Sequence, residues 1–276
     1  MTSGKARLGG DIEPFWRRFN TEAWEPEWRA LVDVLDREHV SVSVRAAVER
    51  LTAALASDDA QERLAIMGEW MDYLDDMATH EDAPMARAML EDALRCGEGC
   101  DVIDALVGVA CGAPAPSVEA PMRALELLRG VMLHAPALRS KLVGEHMETL
   151  LGRLLDDDVS AAAKGYVIEL LLSVVADDQE YQRDFMRRNG ISTLCGVYSK
   201  SQHVDAELCE RASMFIGVFV GVVLPSGASA ALSDALIADA MVSIEDAIGA
   251  EGRDAAIELG KIATLGGADT AAIGLS

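Results

Sequence analysis

The sequence predicts an all-α fold assembled from repeats, and three observations carry that expectation. Apolar residues recur at helical spacing along most of the chain, no segment alternates with period two, and eight apolar positions return in register after 43 residues. The composition agrees. Of the 276 residues, 50% are hydrophobic and 25% charged, a balance that supports a buried core and excludes disorder as the main state. The apolar content is largely Ala, Leu, Val and Met, with 4 Trp, 4 Tyr and 5 Phe, which favours helices over β sandwiches. Five cysteines (Cys96, Cys100, Cys111, Cys195, Cys209) are odd in number and scattered through apolar pattern, so they read as reduced core thiols.

The elements follow in order. After a start punctuated by Pro14 and Pro26, Trp28, Leu31, Val32 and Leu35 mark one amphipathic helix, and Val44, Val48, Leu51 and Leu55 mark the next. Asp58-Asp59 opens a longer helix with Leu64, Met67, Met71, Leu74 and Met77 on one face, stopping before Pro84. Shorter helices, Met85 to Arg95 and Val102 to Ala110, are separated by the Cys96 to Cys100 turn. Gly112 to Pro121 is a linker, and Met122 to Leu133 starts a new run.

The repeat begins there. A displacement of 43 residues places Leu125, Leu127, Leu128 and Val131 on Ile168, Leu170, Leu171 and Val174. It continues with Leu138 on Tyr181, Leu142 on Phe185, Leu151 on Leu194 and Leu154 on Val197. A helical period of about 40–47 residues belongs to armadillo and HEAT units, each of which leaves one face apolar until a neighbour covers it. The expected architecture is therefore an armadillo/HEAT-like right-handed helical solenoid over residues 28–250, with an aromatic-rich cap segment at 1–27 and a Gly/Ala-rich cap or tail at 251–276. In the second copy, a helix from Tyr166 to Val175 turns at Asp177 to Glu180 into a short helix. Gly190, preceded by Asn189, is expected to take the left-handed conformation that ends it, and Ile191 and Leu194 re-enter the core. Ala206 to Leu224 and Ala231 to Ile248 form a third unit.

Charge narrows the partners. Twenty-four Lys and Arg against 46 Asp and Glu give a net charge of −22, which repels nucleic acid and disfavours anionic membrane surfaces. The longest apolar run, Met214 to Leu224, ends at Pro225 and falls well short of the roughly 20 residues that span a bilayer. Met1 to Asp11 is polar, without an apolar stretch behind positive charges, so a cytoplasmic protein without a membrane span is expected.

Few residues are arranged for catalysis. The nucleophile elbow, the phosphate loop, the dinucleotide fingerprint and the H-E-x-x-H zinc motif are all missing from the sequence, so no enzyme activity and no cofactor are expected. Cys96, Cys100, Cys111 and His80 could be imagined around zinc, but no second ligand pair completes the set, and incidental thiols are the better reading. Asp72, Asp75 and Asp76, with Glu81 and Asp82 beyond, resemble the aspartate-rich magnesium motif of all-α terpene synthases. No second metal motif follows, and the solvated side of a helix accounts for them; they carry the alternative of a Mg-dependent all-α enzyme. His39, His80, His134, His146 and His203 have no spacing suited to a shared ligand.

Two groups are candidates for partner contact. Arg183, Arg187 and Arg188 form a basic island on the short helix of the second repeat, suited to an acidic or phosphorylated segment, or simply opposing the helix dipole before Gly190. Phe15, Trp16, Phe19, Trp24 and Trp28 crowd the start, interleaved with Arg17 and Arg18. Aromatics and Arg are enriched at interface centres. They also suit a cap over the open end of the first repeat, and the two roles are compatible.

The central residues resemble a known family. Ala124-Leu-Glu-Leu-Leu128-Arg-Gly-Val131-Met-Leu133-His134, Ser140-Lys-Leu, Met147-Glu-Thr-Leu-Leu151, Asn189-Gly190-Ile191 and Met214-Phe215-Ile216-Gly-Val-Phe219, ending in Leu224-Pro225, are similar in content and order to the armadillo-like cell-division-control component of the fungal septation initiation network. The likeness covers about Pro121 to Pro225, with a weaker echo at Val44 to Leu51. The resemblance implies a protein without activity of its own that binds a germinal-centre-type Ser/Thr kinase and supports its activation and its placement at the spindle pole, a centrosome-like body or the division site. A generic armadillo adaptor for another protein partner is the alternative.

Overall fold

Every regular element among the described residues of the computed structural model is helical, and no strand occurs among them. The structure describes residues 42–79, 83–95, 102–112, 119–176, 178–220 and 237–249. The expectations placed on 1–27, on the helix around Trp28, on the Cys96 to Cys100 turn and on 251–276 lie outside them. The helices are α1 (42–56), α2 (Ala60–Thr79), α3 (Ala83–Arg95), α4 (Val102–Cys111), α5 (Glu119–His134), a 3-10 helix (Pro136–Leu142), α6 (Glu145–Leu155), α7 (Ala161–Val175), α8 (Gln179–Arg187), α9 (Gly190–Ser201), α10 (Ala206–Val218) and α11 (237–249). No described helix is long and apolar enough to cross a membrane. The chain divides into two compact units, Met1–Leu138 and Arg139–Ser276.

In the first unit, α5 is the central helix, packed on both α2 and α4. Asp59 starts α2, its Oδ1 accepting the backbone N–H groups of Gln61 at 2.8 Å and Glu62 at 3.2 Å. The predicted α2 stripe is buried at Met67, Leu74 and Met77, while Leu64 and Met71 are half-buried. Trp70 and Ile66 join that stripe, and Trp70 meets Tyr73 edge-on with ring centroids 5.6 Å apart. Where α5 crosses α2, a Cβ on Gly130 would lie 2.8 Å from Leu74 Cδ1, so a larger residue there would have to displace the Leu74 methyl. Helix α5 begins at Glu119, inside the expected linker. Pro121 sits in its first turn, where a missing N–H has no intrahelical acceptor to lose.

The second unit stacks like on like: α6 packs on α9, and α7 packs on α10. The hydroxyls of Ser192 and Ser243, 2.8 Å apart, place α11 beside α9. Caps set the boundaries, with Ser160 opening α7, Asp178 opening α8 and Asp205 opening α10, each accepting first-turn N–H groups. The displacement of 43 residues carries the 3-10 helix onto α8 and α6 onto α9. Two extra residues then enter at the α9–α10 corner. From there a displacement of 45 pairs Ala163, Val167, Leu170, Leu171, Val174 and Val175 with Leu208, Ala212, Phe215, Ile216, Phe219 and Val220, all buried. Full burial of each large apolar side chain stabilises the stack by about 1.5–3 kcal/mol.

The α8–α9 junction differs from expectation. Asn189, at φ 57° and ψ 31°, takes the left-handed conformation, and Gly190 is already the first residue of α9. The glycine is required for a different reason. A Cβ at Gly190 would collide with the Phe185 ring, which is enclosed by Phe215 at 5.3 Å and Phe219 at 6.0 Å.

Candidate partner-binding surface

Helix α8 and its C-cap carry the three arginines singled out in the sequence, Arg183 and Arg187 within the helix and Arg188 at the cap, and the structure separates them into two roles. Its burial sets their directions: Phe185 and Met186 face the core, and Gln182 is buried too. Gln182 Nε2 donates to the carbonyls of Val175 at 3.0 Å and Ala176 at 3.3 Å, closing the end of α7. Arg188 is structural. Its Nε donates to Asp184 Oδ2 at 3.0 Å and its guanidinium pairs with Glu148 of α6 at 2.6 Å. The same Asp184 oxygen accepts the Gly144 N–H at 3.0 Å. Gly144 holds φ at 83°, a conformation that an L side chain rarely adopts, so this contact fixes the start of α6.

Arg183 and Arg187 stand apart from that network. Four residues apart, they share a face of α8, with Arg187 exposed and Arg183 half-buried. Neither forms an ion pair among the described residues. Asp184, beside them in sequence, is already engaged by Arg188 and Gly144, and Glu180, one turn before Arg183, makes no ion pair with it.

A second polar cluster, not foreseen from the sequence, bridges α7 and α10. Arg211 lies between Glu169 at 2.7 Å and Glu207 at 2.6 Å, with its guanidinium carbon 5.6 Å from the centroid of the Tyr166 ring. The stem of Arg211 also fills the space beside Gly165, where a Cβ would lie 3.0 Å from Arg211 Cδ. At the N-terminal end of α10, a shallow cleft of about 170 Å³ has Leu154, Val197 and Leu208 in its lining and both charge signs at its rim, from Asp157, Lys164, Lys200 and Asp205. Lys200 and Asp157 pair at 3.4 Å across it.

The remaining candidates are dispersed. Asp72, Asp75 and Asp76 all lie on the exposed side of α2. Among the described residues, no three His, Cys, Asp or Glu side chains converge on a point where a metal ion could sit. His134, at the end of α5, has its pKa lowered by burial and by the Arg87 guanidinium, against an opposing pull from Asp75. Cys195 is buried in α9, and burial pushes its thiol up to about 11. Phe15, Trp16, Arg17, Arg18 and Trp24 lie outside the described residues.

Comparison of the chain with protein-family models, curated proteins and solved structures finds no match.

Proposed function

We propose that the chain is a non-catalytic armadillo-like scaffold, a right-handed helical solenoid that binds a germinal-centre-type Ser/Thr kinase and supports its activation or localisation in cell-division signalling. The observation that carries the docking part is the second unit, where helices one repeat apart pack like on like, α6 on α9 and α7 on α10. A stack of this kind offers a preformed surface with little ordering cost on binding. A kinase held on it shifts towards the competent state to the extent that the scaffold prefers that state. The choice of a kinase rests on the family resemblance of Ala124 to His134, Met147 to Leu151 and Met214 to Phe219. The same resemblance supports a cytoplasmic location at a spindle pole or division site.

Affinity purification of the tagged chain followed by mass spectrometry tests the reading. A germinal-centre-type kinase is expected to recur across replicates. Its absence while another ligand recurs would replace the kinase with the generic adaptor function.

A further inference from the structure

The chain carries almost twice as many acidic as basic residues, so carboxylate partners for Arg are plentiful. Arg153, Arg188 and Arg211 in the second unit each take one or two. Arg183 and Arg187 take none among the described residues, although they project from the nine-residue helix that Arg188 caps. Asp184, the carboxylate in the best position to quench them, is held by Arg188 and by the Gly144 N–H. The stem of Arg183 is half-buried and its Nε–H enclosed without a protein acceptor among the described residues. Part of its conformational entropy is therefore already lost before any ligand arrives.

We propose that Arg183 and Arg187 form a docking point for a phosphorylated Ser or Thr segment of a protein partner. At four residues' separation on a helix, two guanidinium groups can converge on one phosphate, each donating two parallel N–H bonds. A phosphate dianion has three acceptor oxygens for this, where a carboxylate has two. The acidity of the rest of the chain does not prevent binding. At about 0.15 M salt the screening length is about 8 Å, so the field at the phosphate is dominated by the two adjacent cations. Arg188 is excluded from the docking point because Glu148 and Asp184 hold it. The inference deepens the docking reading by naming the chemistry of the partner segment, and it does not require the partner to be a kinase.

The test uses the full chain and three fluorescent peptide pools with random residues around a fixed phosphoserine, serine or glutamate, read by fluorescence anisotropy. The phosphoserine pool should bind at least about tenfold more tightly than the other two. Arg183→Gln with Arg187→Gln should remove that preference, while Lys164→Gln, a cation of the same unit without an ion pair among the described residues, should leave it intact. Arg183→Lys with Arg187→Lys, which keeps charge but loses the forked donors, should bind with intermediate strength. Circular dichroism of each variant establishes that the fold is retained. Equal binding of the three pools overturns the inference, as does full binding by the double glutamine variant or an equal loss in Lys164→Gln. The two readings fail separately. Kinase capture without any preference for the phosphoserine pool removes this site and leaves the kinase, whereas phosphopeptide binding without any captured kinase removes the kinase and leaves the site.

Discussion

Replacing Gly190 by Ala should destabilise the protein, against the usual effect of that change in a helix. In helix interiors Ala is better than Gly by up to about 1 kcal/mol. At this position the new methyl group would enter the Phe185 ring, and the ring has nowhere to go: Phe185, Phe215 and Phe219 are each at most 1% exposed and pack against one another. Overpacking in such a setting costs about 1–3 kcal/mol, so the net loss should be about 1–2 kcal/mol. Gly196, on the same helix, is the matched control. Its Cβ would meet nothing within 4 Å, so Gly196→Ala should gain about 0.5–1 kcal/mol. Urea unfolding followed by circular dichroism is the suitable assay, because residues 139–276 contain no Trp whose fluorescence could follow this unit. A Phe185→Leu, Gly190→Ala double variant should recover part of the Gly190→Ala loss relative to Phe185→Leu alone. If Gly190→Ala is as stable as the parent protein, the steric account of this junction is wrong.

Four further outcomes follow from the same geometry. His134 is held below its ordinary value of 6.5, so the unfolded chain takes up its proton first as pH falls. Stability should therefore drop as pH decreases from about 6.5 towards the folded-state value, and His134→Gln should flatten that part of the profile. Arg211→Gln should cost about 1–2 kcal/mol, with Arg211→Lys only partly restoring it because an ammonium does not stack on Tyr166; a double-mutant cycle with Glu169→Gln that shows no coupling would refute the bridge. Cys195, with its thiol pushed up to about 11, should resist Ellman's reagent at neutral pH in the folded protein and react on unfolding, as mapped by mass spectrometry. Magnesium should not raise the melting temperature, and Asp75→Ala should leave that result unchanged; stabilisation by magnesium that is lost in the variant would favour the enzyme alternative.

The helices were legible because burial follows period. Val44, Val48, Leu51 and Leu55 are all buried as the spacing requires, and Asp59 caps where the sequence places a start. Trp70 was not legible as core, because α2 is covered by α5 on one side and by α3 on another, which widens its apolar face beyond one stripe. The gapless register stopped at Val197 because of the two extra residues before α10, and the continuing match was hidden by that step. At Asn189-Gly190 both residues tolerate the left-handed conformation, and sequence alone does not reveal that a phenyl ring reserves the glycine. The polar contacts had a signal that periodicity of apolar residues ignores. Glu148 and Arg188, Asp157 and Lys200, and Glu169 and Arg211 are opposite charges about one repeat apart, separated by 40, 43 and 42 residues, where stacking brings successive copies side by side. For Arg183, Arg187 and Arg188, the sequence supplied three equal cations, and only the positions of Asp184 and Glu148 divide them.

The corner after α9 offers a place to engineer the chain. Gln202, His203 and Val204 form an exposed turn that has already absorbed a change of length while the buried partners on either side keep their pairing. An epitope, a fluorophore attachment peptide or new termini made by circular permutation should be accepted there at little thermodynamic expense, since lengthening a surface loop costs only about 0.6 kcal/mol per doubling. A reporter grafted between Gln202 and Val204 would sit beyond the carboxyl end of α9, away in sequence from the arginines of α8, and could signal occupancy without replacing any of the residues that hold the helices together.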